Sequence, residues 1–256
     1  VLTWLPNDDL TAYASYSQGF RSGFQQDYSA LRFFPSGSPA VENDLLNNYE
    51  IGLKGELLEN RLNYELAVYY IDWEDSQQRV LVPTGNGIFS PIPLNGETID
   101  GIGVDIDVSF ALTGALRLGF TYSWNDLSYI SDVIANGIVI NAGGSRPDES
   151  PETTTGVTVD YIFPLGNNAY QGRLSGSANY HSELISTVGT TGAKLMGDSI
   201  FTSRLSLIID APQNWSASLF VSNLNNEDDT VQPNPLAHLD SRLRPRTVGL
   251  QVEYHY

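Results

Sequence analysis

The chain has no cysteine, which excludes a disulfide scaffold and any zinc site built on thiolates. Basic residues are scarce: 13 against 30 acidic ones leave a net charge of −17. Nucleic-acid binding needs a positive footprint, and none is available. No run of about 18 apolar residues occurs, so a membrane-spanning helix is excluded. The first ten residues, VLTWLPNDDL, have no basic stretch leading into an apolar one, and they read as free of a signal peptide. No segment repeats its apolar residues every 3.6 positions, so helices are expected only as short pieces in loops. Two classes survive: an acidic β-sandwich, or a membrane barrel whose apolar signal is spread over alternating strands.

What the chain does have is period two. Val248, Leu250, Val252, Tyr254 and Tyr256 point one way, while Thr247, Gly249, Gln251, Glu253 and His255 point the other. GIGVDIDVSFA sets Ile102, Val104, Ile106, Val108 and Phe110 against Gly101, Gly103, Asp105, Asp107 and Ser109. Leu116, Leu118, Phe120, Tyr122 and Trp124 are similarly opposed to Arg117, Gly119, Thr121, Ser123 and Asn125. Strands of this kind are expected near 10–19, 47–57, 61–73, 98–111, 115–127, 152–163, 170–181, 198–210, 214–224 and 243–256, with residues 1–5 as the tail of an earlier one. Their length suits a tilted membrane strand.

The connectors alternate short and long. LPNDD, LENR, LTGA, PLGNNA and DAPQN are short; 20–46, 74–97, 128–151, 182–197 and 225–242 are long and rich in Gly, Pro, Ser, Asn and Asp. They read as turns and irregular loops. Tight turns at one end and long loops at the other is the arrangement of outer-membrane barrels. On that reading the C-terminus is periplasmic. Tyr70, Trp73, Tyr122, Trp124 and Tyr180 belong to an outer aromatic girdle, and Trp4, Trp215, Tyr254 and Tyr256 to an inner one. A sandwich reverses the assignment, with apolar residues inward, and a sugar-binding module of that type is a competing reading.

The segments LTAYASYSQGFRSGF, NNYEIGLKGELLENRLNYELAVYYIDWEDSQ, GIGVDIDVSF, SLFVSNLNNEDD and RPRTVGLQVEYHY resemble, in that order, the TonB-dependent outer-membrane receptors of siderophore type. The resemblance covers the chain and implies an all-β, antiparallel, up-and-down transmembrane β-barrel. The family barrel has 22 strands around a plug. About ten strands, roughly the C-terminal half, are expected here as one segment over 1–256, without the plug or the segment that TonB grips. An open sheet with two free edges is expected, and a small closed ten-stranded barrel is the alternative.

The resemblance further implies a receptor for a scarce nutrient, most often a ferric siderophore, and not an enzyme. Its partners are outer-membrane lipid and lipopolysaccharide, the barrel-assembly machinery, the plug and TonB, with no nucleic acid and no cofactor. In the family the extracellular loops and plug hold the ligand, so the candidates here are Arg21, Phe24, Tyr28, Arg32, Phe33 and Phe34 of loop 20–46. Aromatic faces and guanidinium groups suit a bulky anionic chelate. Packing of the loop on itself explains the same residues. The terminal row Val248, Leu250, Val252, Tyr254 and Tyr256 corresponds to the signal read by the assembly machinery.

The acidic run Asn225 to Asp229 lacks the ordered spacing of a calcium loop, and no metal is expected there. A hydrolase is the reading from another class. His181, Ser182 and Glu183 are consecutive, so their side chains alternate faces and make no ready catalytic set.

Overall fold

The computed structural model describes residues 1–26, 28, 32, 39–85, 88–135, 137–166, 169–188, 191–212, 214–232 and 241–254. Eleven strands form one antiparallel meander: β1 (Leu2–Asn7), β2 (Leu10–Arg21), β3 (Asp44–Leu57), β4 (Leu62–Glu74), β5 (Ile99–Ala111), β6 (Leu116–Asn125), β7 (Thr153–Leu165), β8 (Tyr170–His181), β9 (Ile200–Asp210), β10 (Trp215–Ser222) and β11 (Thr247–Tyr254). Each pairs with its sequence neighbours, as consecutive strands of an up-and-down meander do. Among the described residues β1 and β11 make no pair with each other, so the sheet is open. β2 is paired with β1 and β3, not with β11, which removes the small closed barrel. Parity gives the reason. In an eleven-strand meander the first and last strands run the same way, and antiparallel closure between them is impossible.

The register places the apolar rows. Ala12, Leu53, Leu66, Ile106 and Tyr122 lie opposite one another across five strands. The row behind them, Thr11, Lys54, Glu65, Asp107 and Thr121, is polar. Among the described residues nothing packs on the apolar face: Ile51 is 63% exposed and Leu250 73%. Among the described residues the buried apolar ones, Val41, Ile92, Ile99, Tyr129, Val133, Ile140 and Ile200, are gathered instead at the long-loop end, with Ala67 the exception. A sandwich would bury the apolar face against a second sheet, so that reading fails. An uncovered apolar wall with a polar reverse is the arrangement a bilayer requires.

Aromatic side chains bound the band. At the long-loop end Tyr16, Tyr49 and Tyr70 form a row with ring centroids 5.1 and 6.3 Å apart. Two of the hydroxyls bond away from the apolar band, Tyr16 to Asn47 Oδ1 at 2.9 Å and Tyr70 to Asp100 Oδ2 at 3.0 Å. At the short-turn end Tyr161 stacks on Phe163 and Tyr170 meets Trp215. Tyr180 and Tyr170 mark the two levels on β8, about 33 Å apart at about 3.3 Å per residue. Tilting the strand by about 40° reduces that to roughly 25 Å, the height of a barrel's apolar band. Trp73 departs from the expected girdle. It lies at the outer end of β4 but on the polar face, because it is an odd number of residues from Tyr70.

The polar face is close-packed where aromatic rings lie over glycine. A Cβ on Gly52 would collide with the Tyr13 ring, which donates from its hydroxyl to Glu50 at 2.7 Å. Gly52→Val is expected to lower the heat-unfolding midpoint, at a cost of about 1–3 kcal/mol for overpacking. Gly19→Ala, with open space around it, is the control and is expected to leave the midpoint unchanged.

The long connectors are not irregular. Each carries an antiparallel ladder of its own: Phe24–Gln25 with Ala40–Val41, Gln77–Gly85 with Ile88–Asn95, Val133–Ala135 with Ile138–Asn141, Ile185–Val188 with Ala193–Met196, and Thr230–Gln232 with Ser241–Arg242. Prolines 83, 91 and 93 interrupt the alternation of the second. A free two-stranded ladder consists of edge strands, and edges tolerate proline.

Candidate functional site

The five long loops are clipped to one another in order. Glu42 N–H donates to Asn95 Oδ1 at 2.7 Å, and the Ser131 hydroxyl to Glu97 Oε2 at 2.8 Å. Glu149 N–H donates to the Ile185 carbonyl at 2.9 Å, and Asp198 N–H to the Thr230 carbonyl at 2.8 Å. A small apolar core, Ile99, Tyr129 and Val133 with Trp73, Leu94 and Leu127 against it, supports them. Burial pushes the Tyr129 hydroxyl well above its ordinary pKa, and the charge of Asp148 adds to the shift.

Where β2, β3 and β4 enter the loops, Asp44 organises a polar node. It is 2% exposed. Its Oδ1 accepts Arg21 N–H at 2.8 Å, and its Oδ2 accepts Arg21 Nε at 2.7 Å, Trp73 Nε1 at 2.9 Å and Gln77 N–H at 3.2 Å. The Arg21 guanidinium also lies 5.0 Å over the Trp73 ring. A second node ties two further loops. Thr187 donates to Asp148 from its N–H and its hydroxyl, both at 2.7 Å. Lys194 donates to Thr187 Oγ1 at 2.6 Å and also reaches Asn141 and Asp148.

Between the nodes lies a cleft of about 670 Å³. Arg21, Phe24, Trp73 and Gln77 form one side, with Tyr129, Asn141, Asp148 and Thr187 across it. Four of the five long loops contribute, so only the folded loop array creates it. Arg21 and Phe24 of the expected ligand set line this cleft. Tyr28 and Arg32 are exposed, Tyr28 at 85%, while Phe33 and Phe34 lie outside the described residues. The cleft residues 77–79, 141, 148 and 187 were not candidates. Only contacts between distant loops bring them together, and no local spacing records that.

Val248, Leu250, Val252 and Tyr254 are exposed along the outer face of β11, while His255 and Tyr256 lie outside the described residues, as does His238. His181 Nδ1 meets the Ser182 carbonyl at 2.8 Å, and Ser182 Oγ accepts two backbone N–H groups, so this triplet terminates strands. Asn223 and Asn225 shape the acidic turn by accepting Glu227 N–H and Ser203 N–H. Among the described residues no three His, Asp or Glu gather as metal ligands.

Comparison with known proteins places this architecture. Residues 1–224 match the family described as TonB dependent receptor-like, beta-barrel. The chain is 28% identical over 229 residues to the ferric-pyoverdine M114 receptor PbuA of Pseudomonas sp. (strain M114), covering 85% of this chain and 24% of that protein. A ferric-pyoverdine 358 receptor of Pseudomonas putida is 28% identical over 101 residues, which is 39% of this chain and 11% of that protein. The chain therefore spans under a quarter of the length of these relatives. Among solved structures, the ferric yersiniabactin uptake receptor FyuA of Yersinia pestis superposes with a TM-score of 0.74 at 15% identity, over 98% of this chain and 35% of that one. The pyoverdine outer membrane receptor FpvA of Pseudomonas aeruginosa PAO1 gives 0.70 at 19% identity, over 99% of this chain and 35% of that one. That family is one of receptors, not of enzymes. With an eleven-strand wall, two aromatic belts and a family match over most of its length, the chain belongs to the TonB-dependent receptors as part of their β-barrel.

Proposed function

We propose that this chain is the wall and outer mouth of an outer-membrane receptor that takes up a ferric siderophore with energy delivered through TonB. The supporting observation is the cleft: four loops converge on it, and Phe24, Trp73, Arg21 and Arg79 give it aromatic and guanidinium surface. The relatives named for ferric pyoverdine point to the same ligand class. On this reading the long loops are extracellular, and the short turns and the end of β11 are periplasmic. The plug and the TonB-gripping segment belong to parts of the receptor beyond these residues. The outer row of β11, Val248, Leu250, Val252 and Tyr254, is the surface offered to the assembly machinery.

The loop candidates act unequally. Arg21 is already engaged by Asp44, so it positions the cleft wall, and Phe24 and Arg79 are the freer contacts. Phe24→Ala combined with Arg79→Ala in the intact receptor is expected to weaken ferric-siderophore binding about tenfold, roughly 1.4 kcal/mol, without moving the unfolding midpoint. Titration of the siderophore that supports growth in iron-starved cells measures it. Unchanged affinity in a folded double variant removes the cleft from the ligand path.

A further inference from the structure

The cleft's own charges cancel. Arg21 is paired with Asp44 and Lys194 with Asp148, which leaves Arg79 and Glu149 as the other charged side chains of the lining. Among the described residues Arg79 has no acidic partner, so the cleft holds one free cation against one carboxylate. The uncharged polar groups of the lining include the amides and hydroxyl of Gln77, Gln78, Asn141 and Thr187, set among the apolar surfaces of Phe24, Trp73, Ile99 and Ile140.

The surroundings are acidic. In every one of the five long connectors, 22–43, 75–98, 126–152, 182–199 and 223–246, acidic residues outnumber basic ones. The excess is largest in 126–152, where Asp126, Asp132, Asp148, Glu149 and Glu152 stand against Arg146 alone. In 223–246, Glu227 and Asp229 are close enough to share a hydrogen bond. That bond and the Glu227 charge hold Asp229 above the usual carboxylate range.

A densely anionic chelate approaching this mouth meets a negative field, which lowers its capture rate. Inside, it would exchange hydration for a lining with no surplus positive charge. A neutral or cationic chelate avoids both penalties, and it meets a lining whose amides are already bonded to one another and to the loops.

We propose that this cleft selects ferric chelates that are neutral or cationic and turns away densely anionic ones. The proposal rests on the siderophore-receptor reading and reverses the anionic ligand that arginines and aromatics alone had implied. It assigns the charge-balanced lining the work of accommodation and the acidic loops the work of exclusion.

The test uses the intact receptor and three labelled ferric probes: a singly cationic tris-hydroxamate, a neutral tris-hydroxamate and a triply anionic tris-catecholate. A second readout needs no cognate ligand. Phe24→Cys, in a receptor otherwise free of thiols, is modified with a cationic and with an anionic thiosulfonate, and both rates are normalised to a free small thiol. At low ionic strength the hydroxamates are expected to be retained at least tenfold over the catecholate. The cationic reagent is expected to gain about tenfold over the anionic one. Both gaps are expected to narrow as salt screens the loops. Equal or better retention of the catecholate, or a preference of the cysteine for the anionic reagent, overturns the charge selection and leaves the siderophore reading standing. Failure to retain any ferric chelate, of these or of a wider set covering all three charges, removes the siderophore reading and the selection with it.

Discussion

Ile106→Lys is expected to block folding into the membrane, whereas Asp107→Lys, one residue along β5, is expected to be tolerated. Ile106 lies on the apolar face in the row Leu53, Leu66, Ile106 and Tyr122, below the Tyr16–Tyr49–Tyr70 belt. A lysine facing lipid near mid-depth costs about 2–4 kcal/mol. Asp107 faces the opposite way, beside Glu65 and in the row of Lys54 and Thr121. There a lysine replaces a carboxylate among carboxylates in a wet space, and its charge is attracted to Glu65. The folded fraction in membranes, read from heat-modifiable electrophoretic mobility, measures both. Equal tolerance, or the reverse order, contradicts the assignment of faces.

Asp44→Ala is expected to release the loop array from the wall. The substitution leaves Trp73 Nε1, Gln77 N–H and Arg21 N–H without their acceptor at once. Breaking a fully buried pair costs about 3–5 kcal/mol. Here Arg21 is half exposed and can rehydrate, so the loss is reduced to about 2–3 kcal/mol. Hydrogen exchange at the Arg21 and Gln77 amides is expected to accelerate by roughly 30- to 160-fold, while the middle of β3 stays protected. Asp44→Asn keeps one carbonyl acceptor and is expected to show less than half the effect. Unchanged exchange in the alanine variant would mean that the loops are held by their own clips alone.

The two substitutions separate what local sequence records from what it does not. The wall was legible because alternation is a local property: the strand expected at 115–127 is Leu116–Asn125, and the one at 98–111 is Ile99–Ala111. The uncovered apolar face decided the remaining ambiguity, since barrel and sandwich share the same pattern with opposite sides buried. The loops were legible only as long and polar. Their ladders contain proline and glycine, which read as breakers and are tolerated where both strands are edges. Asp44 stands in the run Glu42, Asn43, Asp44, indistinguishable by composition from a solvated turn. Its importance comes from Arg21, Trp73 and Gln77, which topology brings to it from three separate places. The cleft is a property of that same folding of loops onto one another, so only Arg21 and Phe24 were found in advance. Trp73 shows the converse failure: being at the right height for a girdle does not put a residue on the right face.

The most direct measurement is a nitroxide scan from Ile99 to Ala111 in the intact receptor in bilayers, one labelled cysteine at a time, with collision rates for oxygen and for a water-soluble nickel chelate. The expected result is two curves of period two in opposite phase between Gly101 and Ser109. Oxygen should peak at positions 102, 104, 106 and 108, and the nickel chelate at 103, 105 and 107. In-phase curves, or a nickel maximum at position 106, would contradict the placement of this face in lipid and the barrel with it.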